Sequence, residues 1–261
     1  MARLMGIVNV TPDSFSDGGL FLDPEAAIEH GLQLVEDGAD VLDVGGESTR
    51  PGAAGVSAEE ELERVAPVIE GLATGRAISI DTSKLPVAAA ALELGATMVN
   101  DVTAFRHDAG LAALCAERGC QVVLMHMQGD PRTMQQNPTY DDVVDDVKAF
   151  LAERLEFATA EGVAEERIWL DPGIGFGKTV EHNLELLRRL RELTELGRPL
   201  VVGTSRKSFI GKISGAEVDD RLGGTVATSA IAYANGAEML RVHDVREVAE
   251  GLKVASAILA K

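Results

Sequence analysis

The chain of 261 residues carries 42 acidic and 24 basic side chains, giving a formal net charge of −18, and 46% of its residues are hydrophobic. The acidic balance argues against nucleic acid and against anionic membrane surfaces as partners. No apolar run reaches the roughly 18 residues that a membrane span requires, and the first residues lack the pattern of a secretory signal peptide, so we expect a soluble, cytoplasmic protein.

Eight short apolar runs recur along the chain, and each run stops at a polar or glycine-rich signature. A strand that is buried on both faces reads as a continuous stretch of valine, isoleucine and leucine. We therefore predict eight strands, at residues 4–9, 40–44, 77–81, 97–101, 121–126, 167–171, 199–203 and 238–243.

Amphipathic stretches with helical spacing separate these runs. Asp23 precedes Pro24 and is expected to cap the first helix, and Ser57 is expected to open the second. We predict helices at residues 24–37, 58–72, 85–94, 109–118, 141–161 and 245–259.

The long loops all follow strands, whereas the connections from helix to strand are short. These loops cover residues 11–19, 45–55 and 127–140. The asymmetry is typical of a (β/α)8 TIM barrel, in which the C-terminal ends of all eight strands form one rim that carries the active site. We predict a single α/β barrel domain over residues 1–261. A doubly wound open sheet is the alternative, but no dinucleotide fingerprint follows the first strand.

Two features of the predicted rim resemble familiar sites without matching them. Residues 173–179 read GIGFGKT, but a phosphate-binding loop requires glycine where Pro172 stands. We interpret this segment as a glycine-rich turn whose backbone approaches a flat ligand. His126 ends the fifth strand, and no second ligand accompanies it at metal-binding spacing, so we expect it to have a hydrogen-bonded structural role.

Basic side chains gather at several strand ends although the chain is strongly acidic. Arg241 and His243 are two residues apart on one strand and therefore project to the same side. Thr49 and Arg50 follow the second strand, and residues 206–208, Arg-Lys-Ser, follow the seventh. Arginine offers a planar fork that matches phosphate oxygens. The pattern predicts an anion-binding arc; the alternative is a solvated basic cluster on the surface.

Carboxylate and amide side chains end other strands. Asp81, Asn100 and Asp171 close the third, fourth and sixth strands. The two carboxylates could act as an acid/base pair of the glycosidase type, or could be salt-bridged across the barrel mouth. A buried carboxylate beside an amide also suits a flat heterocycle with a guanidine-like donor edge. Together with the anion-binding arc, this last interpretation favours a transferase over a hydrolase.

Six segments, in order along essentially the whole chain, closely resemble the dihydropteroate synthase family. They read MGIVNVTPDSFSDGG at 5–19, DVGGESTRPG at 43–52, LMHMQG at 124–129, DPGIGFGK at 171–178, SRKSF at 205–209 and RVHD at 241–244. The resemblance implies condensation of (7,8-dihydropterin-6-yl)methyl diphosphate with 4-aminobenzoate, which gives dihydropteroate and pyrophosphate in folate synthesis. It also implies a homodimer, and inhibition by sulfonamides, which resemble aminobenzoate.

The resemblance also implies roles for individual residues. Pterin contacts would come from Asp81, Asn100, Asp171 and Lys207. Diphosphate contacts would come from Thr49, Arg241 and His243. Aminobenzoate contacts would come from Phe15, Arg50, Pro51 and Ser208. Asn9, at the end of the first strand, would supply an amide carbonyl to a hydrated Mg²⁺ that bridges the phosphates. The residues expected to act in catalysis are Asp17, Lys207, Arg241 and His243.

The family's reaction is expected to be dissociative, with pyrophosphate leaving before the arylamine attacks. Asp17 lies on the first long loop and is expected to help stabilise the pterin cation or position the amine; the alternative is a turn aspartate. Closure of the loops at 11–19 and 45–55 would exclude water. Two other functions remain as alternatives: a methyltetrahydrofolate–corrinoid methyltransferase, and a catalytically silent pterin-binding subunit.

Overall fold

The computed structural model describes residues 1–11, 23–49, 52–53, 55–73 and 75–260. Within these residues, parallel strands pair in sequence order, and the first strand pairs with the last, so the sheet closes into a barrel. The strands are β1 (Arg3–Asn9), β2 (Val41–Gly45), β3 (Ala77–Asp81), β4 (Met98–Asp101), β5 (Gln121–Met125), β6 (Ile168–Asp171), β7 (Leu200–Val202) and β8 (Ala237–Val242). The predicted (β/α)8 barrel is confirmed.

Helices between the strands surround the barrel. They are α1 (Pro24–Glu36), α2 (Ala58–Leu72), α3 (Leu85–Glu93), α4 (Gly110–Arg118), α5 (Val143–Ala160), α6 (Val180–Arg188), α7 (Ser208–Ser214), α8 (Leu222–Ala234) and α9 (Val245–Leu259). The six predicted helices agree with the structure to within one or two residues at each end. No bounds were predicted for α6, α7 and α8. The short helix α7 has seven residues and begins at Ser208, the last residue of the predicted rim segment 206–208.

Both predicted helix caps are present. The Asp23 carboxylate accepts a hydrogen bond from the Glu25 N–H at 3.0 Å, and Pro24 occupies the first turn, where its missing N–H does no harm. The Ser57 hydroxyl accepts from the Glu60 N–H at 3.1 Å. These caps fix the residues at which α1 and α2 begin.

The barrel interior is filled by side chains from alternate strand positions, as expected for a sheet closed on itself. The filling is apolar and comes from Met5, Val41, Met98, Val123, Trp169, Val201 and Met239. Near the N-terminal ends of the strands, the Trp169 indole N–H donates to Gln121 Oε1 at 3.0 Å, and the Arg3 guanidinium lies 5.8 Å from the indole centroid. Side chains of the strands themselves therefore close the barrel at its N-terminal end.

A larger apolar layer lies between the strands and the helices and includes Cys115 and Cys120. Both thiols are free and buried. They pack as small hydrophobic side chains, which is common for cysteines outside disulfides and metal sites. In the part of the chain that the structure describes, no helix has both the length and the apolar character needed to cross a bilayer.

Candidate active site at the C-terminal rim

A cavity of about 530 Å³ opens at the C-terminal ends of the strands. Every predicted site residue within the described ranges lines it. These residues are Asn9, Thr49, Asp81, Asn100, Asp171, Lys207, Ser208, Arg241 and His243. The remaining predicted site residues, Phe15, Asp17, Arg50 and Pro51, lie outside the described residues. Met125, the last residue of β5, also lines the cavity, which therefore brings together side chains from all eight strand ends.

Strand register explains this convergence. Asp81 lies beside Asn100 in the β3–β4 pair, and Gly45 lies beside Asp81 in the β2–β3 pair. Alternate residues of each strand face the barrel axis, so the inward positions nearest the rim form a ring above the apolar filling. Gly45 adds no side chain to this ring, and that leaves room in the cavity.

Arg241 forms the centre of a buried charge network. Its Nε donates to Asp43 Oδ2 at 2.6 Å, and its Nη2 donates to Asp81 Oδ2 at 2.7 Å. The Asn100 amide donates to the same Asp43 oxygen at 3.1 Å. Asp43 was not predicted as a site residue, although it stands at an inward position near a strand end. The available signal was its position two residues before Gly45, because residues two apart on a strand face the same side of the sheet.

This network differs from the expected separation of acidic and basic groups. The sequence suggested a carboxylate floor for the heterocycle and a separate cationic arc for the anion, but Arg241 contacts the floor directly. A salt bridge across the barrel mouth was one of the interpretations that the sequence left open for Asp81, and the structure has this salt bridge, with Arg241. A guanidinium carries five N–H donors, and two of them are used here. The other three donate to no described residue, so they remain able to bind an anion.

Burial shifts the pKa values of three side chains that line the cavity towards neutrality. Burial raises the pKa of Asp81 to about 7, against the opposing charge of Arg241. It raises the pKa of Asp171 to about 6, although the Gly173 N–H, which donates to this carboxylate at 2.7 Å, and the charge of Lys207 oppose the shift. Burial, followed by repulsion from Arg241, lowers the pKa of Lys207 to about 8. Perturbed groups that share one cavity are typical of a functional site.

The glycine-rich turn after β6 forms one wall of the cavity. Gly173 has a φ of 67°, and a Cβ there would lie 1.9 Å from the His126 carbonyl oxygen, so only glycine fits. Phe176 of the same turn lines the cavity, and its ring centroid lies 4.0 Å from Lys207 Nζ. An aromatic face and a cation on one wall suit a flat, electron-rich ring. Phe176 was not predicted as a site residue.

A buried lysine holds this turn against β5. Lys178 Nζ lies 2.8 Å from His126 Nδ1 and 2.9 Å from the Phe176 carbonyl oxygen. Burial lowers the pKa of His126 to about 2, so the imidazole is neutral. The predicted hydrogen-bonded structural role of His126 is confirmed, and no cluster of three His, Cys, Asp or Glu side chains able to hold a metal occurs among the described residues.

His243 is oriented by Ser205. The serine Oγ accepts from the His243 backbone N–H at 3.1 Å and lies 2.9 Å from His243 Nδ1. A hydroxyl has one proton and two acceptor sites, so the direction of the contact with Nδ1 depends on the imidazole tautomer, but the contact itself fixes the orientation of the ring.

Arg206 has a different role from its predicted neighbours. Its side chain donates to Asp244, with Nε 3.1 Å from Oδ2, and its backbone N–H donates to Thr225 Oγ1 at 3.0 Å. Its φ of 55° lies in the left-handed region, which non-glycine residues adopt only when their surroundings impose it. The strained turn presents Lys207 and Ser208 to the cavity, while Arg206 is held in an ion pair at the rim.

Comparison with known proteins identifies relatives over nearly the whole chain. The family described as pterin binding enzyme matches residues 5–243. Dihydropteroate synthase of Escherichia coli K12 is 47% identical over 260 residues, which cover 99% of this chain and 92% of that protein.

Solved structures agree. The Yersinia pestis dihydropteroate synthase with a sulfonamide drug superposes with a TM-score of 0.95 at 44% identity, covering 98% of this chain and 94% of that one. The Xanthomonas albilineans dihydropteroate synthase with 7,8-dihydropteroate superposes with a TM-score of 0.90 at 47% identity, covering 100% of this chain and 94% of that one. The cavity, the barrel and these relatives lead to one conclusion: the chain belongs to the pterin binding enzyme family and, within it, to the dihydropteroate synthases.

Proposed function

We propose that the rim cavity joins (7,8-dihydropterin-6-yl)methyl diphosphate to 4-aminobenzoate by a dissociative substitution at the pterin methylene. The observation that carries this proposal is the single cavity lined by the predicted pterin and diphosphate residues. In this proposal the pterin N–H donors face the carboxylates of Asp81 and Asp171, and Asn100 and Lys207 complete the pterin contacts. The Phe176 ring offers a flat surface for stacking.

The leaving group is proposed to bind above the pterin. Arg241, His243 and Thr49 contribute donors to the diphosphate, so the negative charge that develops as the C–O bond breaks meets groups already in place. The opposite charge develops on the methylene carbon and spreads into the dihydropterin. The carboxylates of Asp171 and Asp81 favour positive charge at that ring. Bond cleavage is therefore assisted from both sides.

Mg²⁺ is proposed to bind with the diphosphate at Asn9. The amide oxygen of Asn9 is a hard ligand, and its side chain makes no hydrogen bond to the described residues. A single protein ligand suits Mg²⁺, which keeps several waters and takes other oxygens from phosphates. When bound, the ion neutralises charge on the leaving group. Asn9 would hold it at the rim, in the cavity that Thr49 also lines.

The second substrate is proposed to enter from the outer side of the rim. The resemblance assigns aminobenzoate contacts to Phe15, Arg50, Pro51 and Ser208. Of these, Ser208 lines the cavity beside Lys207, at the first residue of α7. The arylamine is nucleophilic when neutral, so no strong base is needed. Asp17 is proposed to position the amine or stabilise the cation.

Pyrophosphate release tests the proposed function. Mixing the protein with both substrates and Mg²⁺ should release one pyrophosphate for each dihydropteroate formed, and a sulfonamide should compete with aminobenzoate. If no pyrophosphate appears with either substrate order, the chain is a silent pterin-binding subunit. Methyl transfer from methyltetrahydrofolate to a corrinoid protein would support the other alternative.

The dependence of kcat/KM on pH should be bell-shaped. Asp171, with a pKa of about 6, and Asp81, with one of about 7, accept pterin N–H groups most strongly when ionised, so the rate falls on the acid side. Lys207, with a pKa of about 8, loses its charge on the alkaline side. Lys207→Arg, which stays charged, should abolish the alkaline limb and retain the acid limb. A wild-type profile that is flat from about pH 5 to about pH 9 would contradict these assignments.

A homodimer through α8 and α9 is also proposed, together with a cytoplasmic location. These two helices pack against each other, and each exposes apolar side chains, with Ile231 50%, Val254 62% and Ile258 77% exposed. Burying such a face against a second copy would remove it from water. We expect Val254→Glu with Ile258→Glu to give a monomer in sedimentation analysis, whereas Leu32→Glu on α1 remains a dimer. A monomeric wild type refutes the interface.

A further inference from the structure

Lys84 joins three separate segments near the rim. Its Nζ lies 2.6 Å from Glu47 Oε2, and it also donates to the carboxylate of Glu61. Lys84 precedes α3, Glu47 follows β2, and Glu61 belongs to α2. The Glu61 side chain is fully buried, and the other two are largely buried. A buried carboxylate requires a paired cation, so this arrangement is a built feature of the fold.

The second carboxylate oxygen of Glu47 makes a hydrogen bond to a residue further along the chain. Glu47 Oε1 accepts from the Val56 N–H at 3.1 Å. Glu47 and Val56 stand at the two ends of the segment that contains Thr49, so one carboxylate ties both ends together. Just before it, the Gly46 carbonyl accepts from Arg64 Nη1 at 2.8 Å, which fixes the start of the segment on α2.

The charge of Lys84 is maintained by its partners. Burial opposes the charge, but the hydrogen bonds that Lys84 donates to Glu47 and Glu61 raise the pKa of Lys84 above its ordinary value. Lys84 therefore stays an ammonium and holds both carboxylates. Without it, Glu47 would lose the contact that keeps its side chain turned toward Val56 and would be free to rotate into solvent.

We propose that Lys84, acting through Glu47, is a positioning residue that sets the place of Thr49 in the cavity and thereby the affinity for the diphosphate group. The inference rests on the proposed role of Thr49 in diphosphate binding. Glu47 itself lines the cavity and stands two residues before Thr49. Lys84 does not line that cavity, so its effect on the diphosphate is exerted through the segment that it anchors.

Lys84→Met tests the proposal. Displacing a group near the reacting atoms by a small distance can cost up to about a hundredfold in rate. We expect the KM for the pterin diphosphate and the Kd of inorganic pyrophosphate each to rise by about tenfold or more. The Kd of a pterin that lacks the diphosphate should stay within about twofold, because the pterin floor does not contact Lys84. A general loss of structure would weaken both ligands alike.

Two further variants keep the result interpretable. Lys148→Met removes an ion pair with the same 2.6 Å separation on the surface, between Lys148 and Glu195, and should change neither Kd. Lys84→Met combined with Glu61→Gln removes the fully buried carboxylate together with its cation, and should fold while still binding pyrophosphate weakly.

The outcomes separate this inference from the proposed function. If the wild type binds pyrophosphate and folded Lys84→Met binds it equally well, the positioning role is wrong while the proposed reaction stands. Equal weakening of pterin and pyrophosphate also overturns the positioning role. If the wild type binds no pyrophosphate, the proposed diphosphate site and this inference fail together.

Discussion

Arg241→Met should destabilise the fold and abolish activity at the same time. The substitution leaves Asp43 and Asp81 buried near each other without their shared cation, and removing one partner of a buried ion pair typically costs about 3–5 kcal/mol. It also removes the guanidinium donors proposed for the diphosphate. Chemical denaturation should show the lower free energy of unfolding, and pyrophosphate release should fall by at least about a hundredfold.

The stability loss in Arg241→Met should depend on pH. Asp81 already has a pKa raised above its unfolded value, so the folded state binds more protons than the unfolded state between the two values. Stability then falls as pH rises through that window. Without the arginine the pKa rises further, and the loss should be larger at pH 7 than at pH 5.

Two variants provide controls for this result. Arg118→Met breaks a surface pair with Glu93 at 3.0 Å and should cost at most about 1 kcal/mol. Arg241→Lys keeps one cation and should recover part of the stability while activity stays low, because an ammonium lacks the planar fork that bridges two carboxylates. Full activity in Arg241→Lys would show that charge alone suffices.

Asp171→Asn should weaken pterin binding while the fold becomes more stable. A hydrogen bond to a charged group contributes about 1.5–3 kcal/mol, so the pterin Kd should rise roughly ten- to a hundredfold. The Kd of pyrophosphate should not change. The pKa of Asp171 is raised to about 6 in the fold, chiefly by burial, so its ionised form destabilises the protein at pH 7. Calorimetry with pterin and with pyrophosphate, plus denaturation, measures all three effects.

Asp108→Asn is a matched control for Asp171→Asn. Asp108 accepts a hydrogen bond from the N–H two residues later, Gly110, at 3.0 Å, as Asp171 does from Gly173 at 2.7 Å. Asp108 lies outside the cavity, so neither ligand should bind differently. If Asp171→Asn binds pterin as tightly as the wild type does, the pterin floor has been misassigned. Because Arg241→Met and Asp171→Asn should change stability in opposite directions, loss of activity cannot be attributed to unfolding in both.

Local patterns in the sequence predicted much of the barrel and its rim. Strand ends were predictable because buried parallel strands have few polar residues, so Asp81, Asn100 and Asp171 stood out. Helix starts were predictable where a capping residue precedes the first turn, as at Ser57. In contrast, α7 and α8 are short or rich in small residues, and they lack a long amphipathic pattern.

The contacts of Arg241 could not be predicted in the same way. The arginine is 198 residues from Asp43 and 160 from Asp81, so the network exists only because β8 closes onto β1. The charged residues were visible in the sequence, but their pairing was not. Lys178 illustrates the same point, since the sequence placed it in a glycine-rich turn at the rim but did not show that its amine is buried against His126. Side-chain type and strand position are local properties, but pairing across the barrel is not.

Trp169 gives the protein an internal optical probe. It is the single tryptophan of the sequence, and it lies two residues before Asp171 on β6, facing the barrel axis at the end opposite the cavity. Its indole is 8% exposed and hydrogen-bonded to Gln121. Emission at indole wavelengths therefore has one source, and a red shift in denaturant reports water entering the barrel interior. In the Arg241 and Asp171 variants, this signal follows opening of the barrel from within, independently of the chemistry at the rim.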